Sequence, residues 1–123
     1  MSLFNTIIMQ FAIFGNPSAT NASQAEQRLF ECIISMGDTF CIESDYYAYL
    51  TETLMLDICC NSVFKENNFN ADAIISIGGD GTFLRTASRT IQKGLPIIGI
   101  NTGRLGFMAD ISTDNIEKAL KLI

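Results

Sequence analysis

A glycine turn between an apolar run and a helical repeat constrains this chain more than any other feature. The stretch is Ala71–Arg89. It opens on Ala73–Ile77, rich in β-branched residues and bounded by glycine, which reads as a buried parallel strand. Gly78, Gly79 and Gly81 follow. Thr82–Gln92 then has helical spacing, with Leu84, Ala87 and Ile91 on one face and Gly94 placed to end it. A strand, a glycine turn and a helix in that order aim backbone N–H groups and a helix N-terminus at a phosphate.

Asp80 stands out in that turn, because a carboxylate facing a phosphate repels it. Two roles remain open. Asp80 either caps the helix, where Asp is common, or takes a proton from an attacking hydroxyl or helps hold a magnesium ion. Arg85 and Arg89 lie four apart on one helical face, where like charges disfavour the helix slightly. On this numbering Arg85 also falls in the first turn, at the positive end of the helix dipole. A bound anion relieves both conflicts; a solvated basic face is the plainer alternative.

The charge distribution agrees with an anion on this half. Of a net charge of −5, residues 1–64 hold seven acids against Arg28 alone, and the remainder holds seven bases against six acids. There is no arginine-rich arm or basic stripe, so no nucleic-acid partner is expected. No apolar run approaches the ~18 residues of a membrane span, and no secretory leader is recognisable. Cys32, Cys41, Cys59 and Cys60 lack C-x-x-C spacing and the chain has no histidine, so no protein-held metal site is expected. Four such cysteines read as reduced thiols in a cytoplasmic protein.

Taken in order, Phe11–Phe14 is a strand and Gly15-Asn16-Pro17 turns out of it. Ser23-Gln24-Ala25-Glu26 fits a capping box. It opens a helix with Ala25, Leu29, Cys32, Ile33 and Met36 inward and Gly37 at its end. Thr39–Ile42 is a second strand. Asp45–Leu56 leans towards helix, with its tyrosines as packing and rim residues, and Asn-rich Asp57–Asn70 reads as a loop. Leu95–Ile100 is the strand after the central unit, Asn101–Asp110 a second glycine loop, and Thr113–Ile123 a helix. Strand and helix alternate, which predicts an α/β fold: a doubly wound, mainly parallel sheet with helices on both faces. Both glycine loops leave carboxyl ends of strands, where such sheets bind ligands. Neither a G-x-G-x-x-G fingerprint nor a G-K-[ST] phosphate loop is present.

Two segments carry a family resemblance. Gly78-Gly79-Asp80-Gly81-Thr82 resembles the GGDGT signature of the NAD kinases, shared with diacylglycerol and sphingosine kinases and nearly so with 6-phosphofructokinases. Asn101-Thr102-Gly103-Arg104-Leu105-Gly106-Phe107 resembles the NAD kinase segment N-x-G-x-L-G-F at the spacing typical of that family. Lipid kinases place Asn-Glu after GGDGT, where this chain has Phe83-Leu84.

The resemblance implies ATP-dependent phosphorylation of the adenosine ribose 2′-hydroxyl of NAD, giving NADP. Asp80 would then be the catalytic base, and Gly79, Gly81 and Thr82 would hold phosphates. Arg85 would neutralise a phosphate, Asn101, Gly103 and Gly106 would shape the second loop, and Phe107 would line the adenine pocket. ATP is the implied donor, accompanied by Mg²⁺ or another divalent cation. The implied partners are NAD and ATP, without nucleic acid or membrane, in a homo-oligomeric full-length enzyme.

Residues 1–123 would form the N-terminal α/β domain of a longer kinase whose β-rich second domain is absent. Residues 1–8 would be a non-native start. The fragment alone is expected to be inactive. The alternatives are a lipid or sugar kinase of the same superfamily, or a nucleotide-binding module without catalysis.

Overall fold

Six parallel strands in the order β3-β2-β1-β4-β5-β6 form one sheet in the computed structural model of the chain. The structure describes residues 8–17, 23–101 and 111–112. The strands are β1 (Gln10–Gly15), β2 (Thr39–Glu43), β3 (Ser62–Phe64), β4 (Ala73–Gly78), β5 (Ile97–Asn101) and β6 (Ile111–Ser112). The described helices are α1 (Ser23–Ser35), α2 (Ser44–Ala48), which runs on into a π-helical turn at Tyr49–Thr53, and α3 (Asp80–Thr90), extended by a 3₁₀ turn at Ile91–Lys93. The expected helix at Thr113–Ile123 lies outside the described residues.

Alternation along the central strands splits the core between two faces. Phe11 and Ile13 of β1 and Ala73, Ile75 and Ile77 of β4 join Leu29, Phe30 and Ile33 of α1 and Tyr46, Tyr49 and Leu50 of the α2 segment. Ala12, Phe14 and Ile74 point the other way, towards Phe64 and Phe69. The doubly wound expectation holds: α1 and α2 cover the first face, and α3 packs over the second, where Thr86 meets Ser76 of β4.

Several local expectations differ from the structure. The segment Asp57–Asn70 contains edge strand β3 and is fastened to α3. Asn67 donates to the Arg89 carbonyl at 2.8 Å, and Arg89 donates back to the Glu66 carbonyl at 2.9 Å. β3 was illegible because it has three residues, two of them exposed, and pairs on one side only. Strand β6 was likewise not anticipated.

Helix α3 starts two residues earlier than its spacing predicts, at Asp80, with Gly79 at the N-cap. Gly94, in the left-handed region at φ 65°, ends the segment as expected. Its buried face is not the apolar one. Thr82, Thr86 and Thr90 face the sheet, whereas Leu84 is 53% and Ile91 74% exposed. The helix sits too close to the sheet for long side chains. Gly78, at φ 154°, would place a Cβ 2.7 Å from Thr82 Oγ1. Thr90 returns its hydroxyl to the Thr86 carbonyl at 2.7 Å.

The capping box at Ser23 also gives way. Ser23 is already helical, and Glu26 is 1% exposed, with Oε2 accepting from the Tyr46 hydroxyl at 2.8 Å. Glu26 Oε1 is buried without a hydrogen-bond partner. Burial holds the Glu26 carboxyl above its ordinary pKa of 4.5, against the opposing pull of the Tyr46 bond.

Two outcomes are expected. Gly78→Ala forces a side chain into a backbone region reserved for glycine and against Thr82, so chemical denaturation should register a loss of roughly 2–4 kcal/mol. The Glu26 carboxyl keeps its proton to higher pH in the folded state than in the unfolded one. Its contribution is therefore fully present below pH 4.5 and fades as pH rises towards the raised folded value. Denaturation of Glu26→Gln and the parent at several pH values should show the parent losing ground steadily above that point. A difference independent of pH would contradict it.

Candidate active site

The strand order reverses direction between β1 and β4. The chain leaves β1 towards β2 and β3, and leaves β4 towards β5 and β6. Loops that depart from adjacent strands to opposite sides open a crevice at the carboxyl edge. Here those loops begin at Gly15-Asn16-Pro17 and at Gly79. A cavity of about 220 Å³ lies in the crevice. Gly15 and Pro17 form one wall, Glu43 and Asp45 of the β2–α2 junction another, and Thr82, Arg85, Thr86 and Arg89 of α3 a third.

The two glycine loops also start side by side. Gly78 of β4 is in register with Asn101 of β5. Both line a shallow depression with Gly79 and Phe83 at the same end of the sheet. Asn101 is buried. Gly103, Gly106 and Phe107, the other second-loop candidates, lie outside the described residues.

At the head of α3, the Gly79 carbonyl accepts the first helical bond from the Phe83 N–H at 3.0 Å, and no side chain caps the helix. Asp80 is therefore the first helical residue and not the cap. As an acid in the first turn it complements the helix dipole. Gly79 and Gly81 are exposed, and a Cβ on Gly79 would meet nothing within 4 Å. The outer surface of the turn is bare backbone, open to a ligand.

The two arginines part company. Arg85 is in the second turn, since α3 begins at Asp80. Its guanidinium folds back over the first turn, with Nη2 3.4 Å from Thr82 Oγ1 and Nη1 3.3 Å from where a Gly81 Cβ would be. A cation thus hangs beside the uncapped N-terminal amides. Arg89 serves the fold: it binds the Glu66 carbonyl and lies over the Phe14 ring, 5.2 Å from its centroid. Thr82 is buried, its hydroxyl turned towards Gly78 and Arg85.

Sequence reading missed Glu43 and Asp45, which reach the cavity only because β2 lies next to β1. The one available signal was their position at the carboxyl end of a strand. Glu43 accepts from the N–H groups of Asp45 and Tyr46 and so caps α2. Among the described residues no group of three or more Asp, Glu, Cys or His side chains could hold a metal ion. Burial raises the Cys41 thiol to about 11, far from a reactive thiolate. No helix among the described residues is long and apolar enough to cross a membrane.

Comparison with known proteins matches this geometry to one family. Residues 11–123 match the ATP-NAD kinase N-terminal domain. The chain is 45% identical over 113 residues to an NAD kinase of Bacteroides fragilis, covering 92% of this chain and 39% of that protein. It is 36% identical over 117 residues to an NAD kinase of Flavobacterium psychrophilum, covering 94% and 40%. The chain thus spans about two fifths of the length of these relatives. The crystal structure of yeast NADH kinase complexed with NADH superposes with a TM-score of 0.73 at 14% identity, over 96% of this chain and 38% of that one, which supports the fold. With an uncapped glycine turn beside Asp80 at the switch point of a doubly wound sheet, and a family match over nearly its whole length, the chain belongs to the NAD kinase family.

Proposed function

We propose that this chain is the N-terminal α/β domain of a longer NAD kinase that transfers the γ-phosphoryl group of ATP to the adenosine ribose 2′-hydroxyl of NAD. The observation that carries the proposal is the placement of Asp80. It begins α3 beside exposed Gly79 and Gly81, directly after β4 at the switch point of the sheet, and two residues before Thr82, which lines the cavity together with Arg85. The family match sets aside the lipid- and sugar-kinase alternatives.

The roles follow from the local chemistry. The 2′-oxygen attacks the γ-phosphorus, its proton passes to the Asp80 carboxylate, and the bond to the β-phosphate oxygen breaks to leave ADP. The amides of Gly79, Gly81 and Thr82 face the phosphates, and Arg85 offsets their charge. Asn101 braces the second loop, with Gly103 and Gly106 shaping it and Phe107 lining the adenine pocket. Where no cluster of protein ligands stands ready, Mg²⁺ or another divalent cation fits as a companion of the triphosphate. It would neutralise developing phosphate charge when bound.

The enzyme is further proposed to be cytoplasmic and homo-oligomeric. The exposed Leu84 and Ile91 on the outer face of α3 support the latter.

Three outcomes test the proposal, the first two in the full-length enzyme. Asp80→Asn should lower kcat by roughly 10²-fold or more, while KM for NAD moves far less. A variant with near-normal kcat would remove Asp80 from the base role. Gly79→Ala should cost no more than about 1 kcal/mol, the difference between Gly and Ala at an N-cap, since its Cβ points into open space, yet raise KM for a phosphate-bearing substrate. An unchanged KM would mean that no ligand approaches the turn. The isolated 123-residue chain should form no NADP in a coupled assay, because a partial site forfeits positioning worth up to ~7–11 kcal/mol.

A further inference from the structure

Tyr46 is the most deeply buried large polar side chain near the crevice, and the chemistry proposed above does not use it. It is 1% exposed. Its ring lies flat on the backbone of Gly15, so close that a Cβ there would fall 2.1–2.5 Å from three ring carbons. Gly15 has no positive φ, so glycine is required at that position by the ring and not by the backbone conformation. The hydroxyl donates to Glu26 Oε2 at 2.8 Å, in the first turns of α1. Its own N–H donates to Glu43 Oε1 at 3.0 Å, at the end of β2. Tyr49 backs the ring at 6.1 Å between centroids.

One side chain therefore touches both ends of the connection between β1 and α1, Gly15 before it and Glu26 after it. The same residue is anchored to Glu43, a further wall of the cavity. Gly15 and Pro17 of that connection line the same cavity as Arg85 and Thr82.

We propose that Tyr46 is a positioning residue for the site, clamping both ends of the β1–α1 connection so that its Gly15–Pro17 wall stands at a set distance from Arg85. The clamp has no substitute on the Glu26 side. Glu26 Oε1 has no hydrogen-bond partner, and the other oxygen relies on the Tyr46 hydroxyl. Loss of that hydroxyl leaves a buried carboxyl without its side-chain donor, which favours turning Glu26 outward and shifting the start of α1. The effect on catalysis rests on the kinase reading above; the effect on the connection does not.

The test uses the full-length protein and two readouts. Tyr46→Phe keeps the ring on Gly15 and removes only the hydroxyl. It is expected to raise KM for NAD or for ATP at least about fivefold, with kcat within about threefold, as a displaced binding wall would. Amide hydrogen exchange of residues 15–16 and 24–27 should quicken at least about fivefold, while exchange in β4 stays as in the parent. Glu26→Gln keeps an acceptor for the hydroxyl and should remain within about twofold of the parent in KM. Glu26→Leu, which removes the acceptor, should reproduce Tyr46→Phe and carries the test should that variant not fold.

A lower thermal midpoint with both KM values and the exchange of residues 15–16 and 24–27 unchanged would overturn the proposal, reducing Tyr46 to a core residue. If the parent protein makes no NADP, the kinase reading fails, and the exchange result alone decides whether the clamp exists.

Discussion

The approach of α3 to the sheet governs the rest of the structure. Gly78 leaves β4 at a φ of 154° with no side chain, and the space this frees is filled by Thr82 of the following helix. Thr86 and Thr90 continue the contact along the same stripe, each burying a short branched side chain. Helix and strand are thereby brought close enough for the turn between them to expose backbone on its outer side. Longer residues along this stripe would lift α3 away from β4. That would move the amides of Gly79, Gly81 and Thr82, the Asp80 carboxylate and the Arg85 guanidinium together, because all five sit on the first turn and a half of one rigid element.

On the other side of the crevice the same device appears with different residues. Gly15 ends β1 with no side chain, and the Tyr46 ring takes the space. Each central strand thus ends in a glycine against which a side chain from a neighbouring element is pressed. In both cases that element also lines the cavity, through Thr82 and Arg85 on α3 and through Asp45 on α2. The crevice is framed by packing that tolerates almost no added volume at two points, while the surfaces between them, Gly79 and Gly81, are exposed.

Charge is arranged with similar economy. Arg89, although it lines the cavity, is held by the Glu66 carbonyl and the Phe14 ring and fastens the β3–β4 segment over the second face. Arg85 remains with its guanidinium over the head of α3. The acids Glu43 and Asp45 line the same cavity, and Glu43 is itself engaged in capping α2.

The sequence by itself determined the alternation of strands and helices, the parallel sheet and the placing of Asp80 after a strand and before a helix. Those features rest on local patterns: β-branched runs, helical spacing and glycines at turns. It also identified the family, because two short motifs occur at a definite spacing. What it misjudged involved contacts between distant residues. The threonine face of α3 was hidden because helical periodicity ranks positions by hydropathy, whereas the tight seat beside Gly78 selects by size. Glu26 matched a local capping pattern, yet a tyrosine 20 residues away claimed its carboxylate. Arg85 and Arg89 looked equivalent at four-residue spacing, and only the fold of the Glu66 loop distinguished them. The crevice itself, with Glu43 and Asp45 on one wall and Arg85 on another, exists only because β1 lies between β2 and β4 in the sheet, and strand order is a property of tertiary packing.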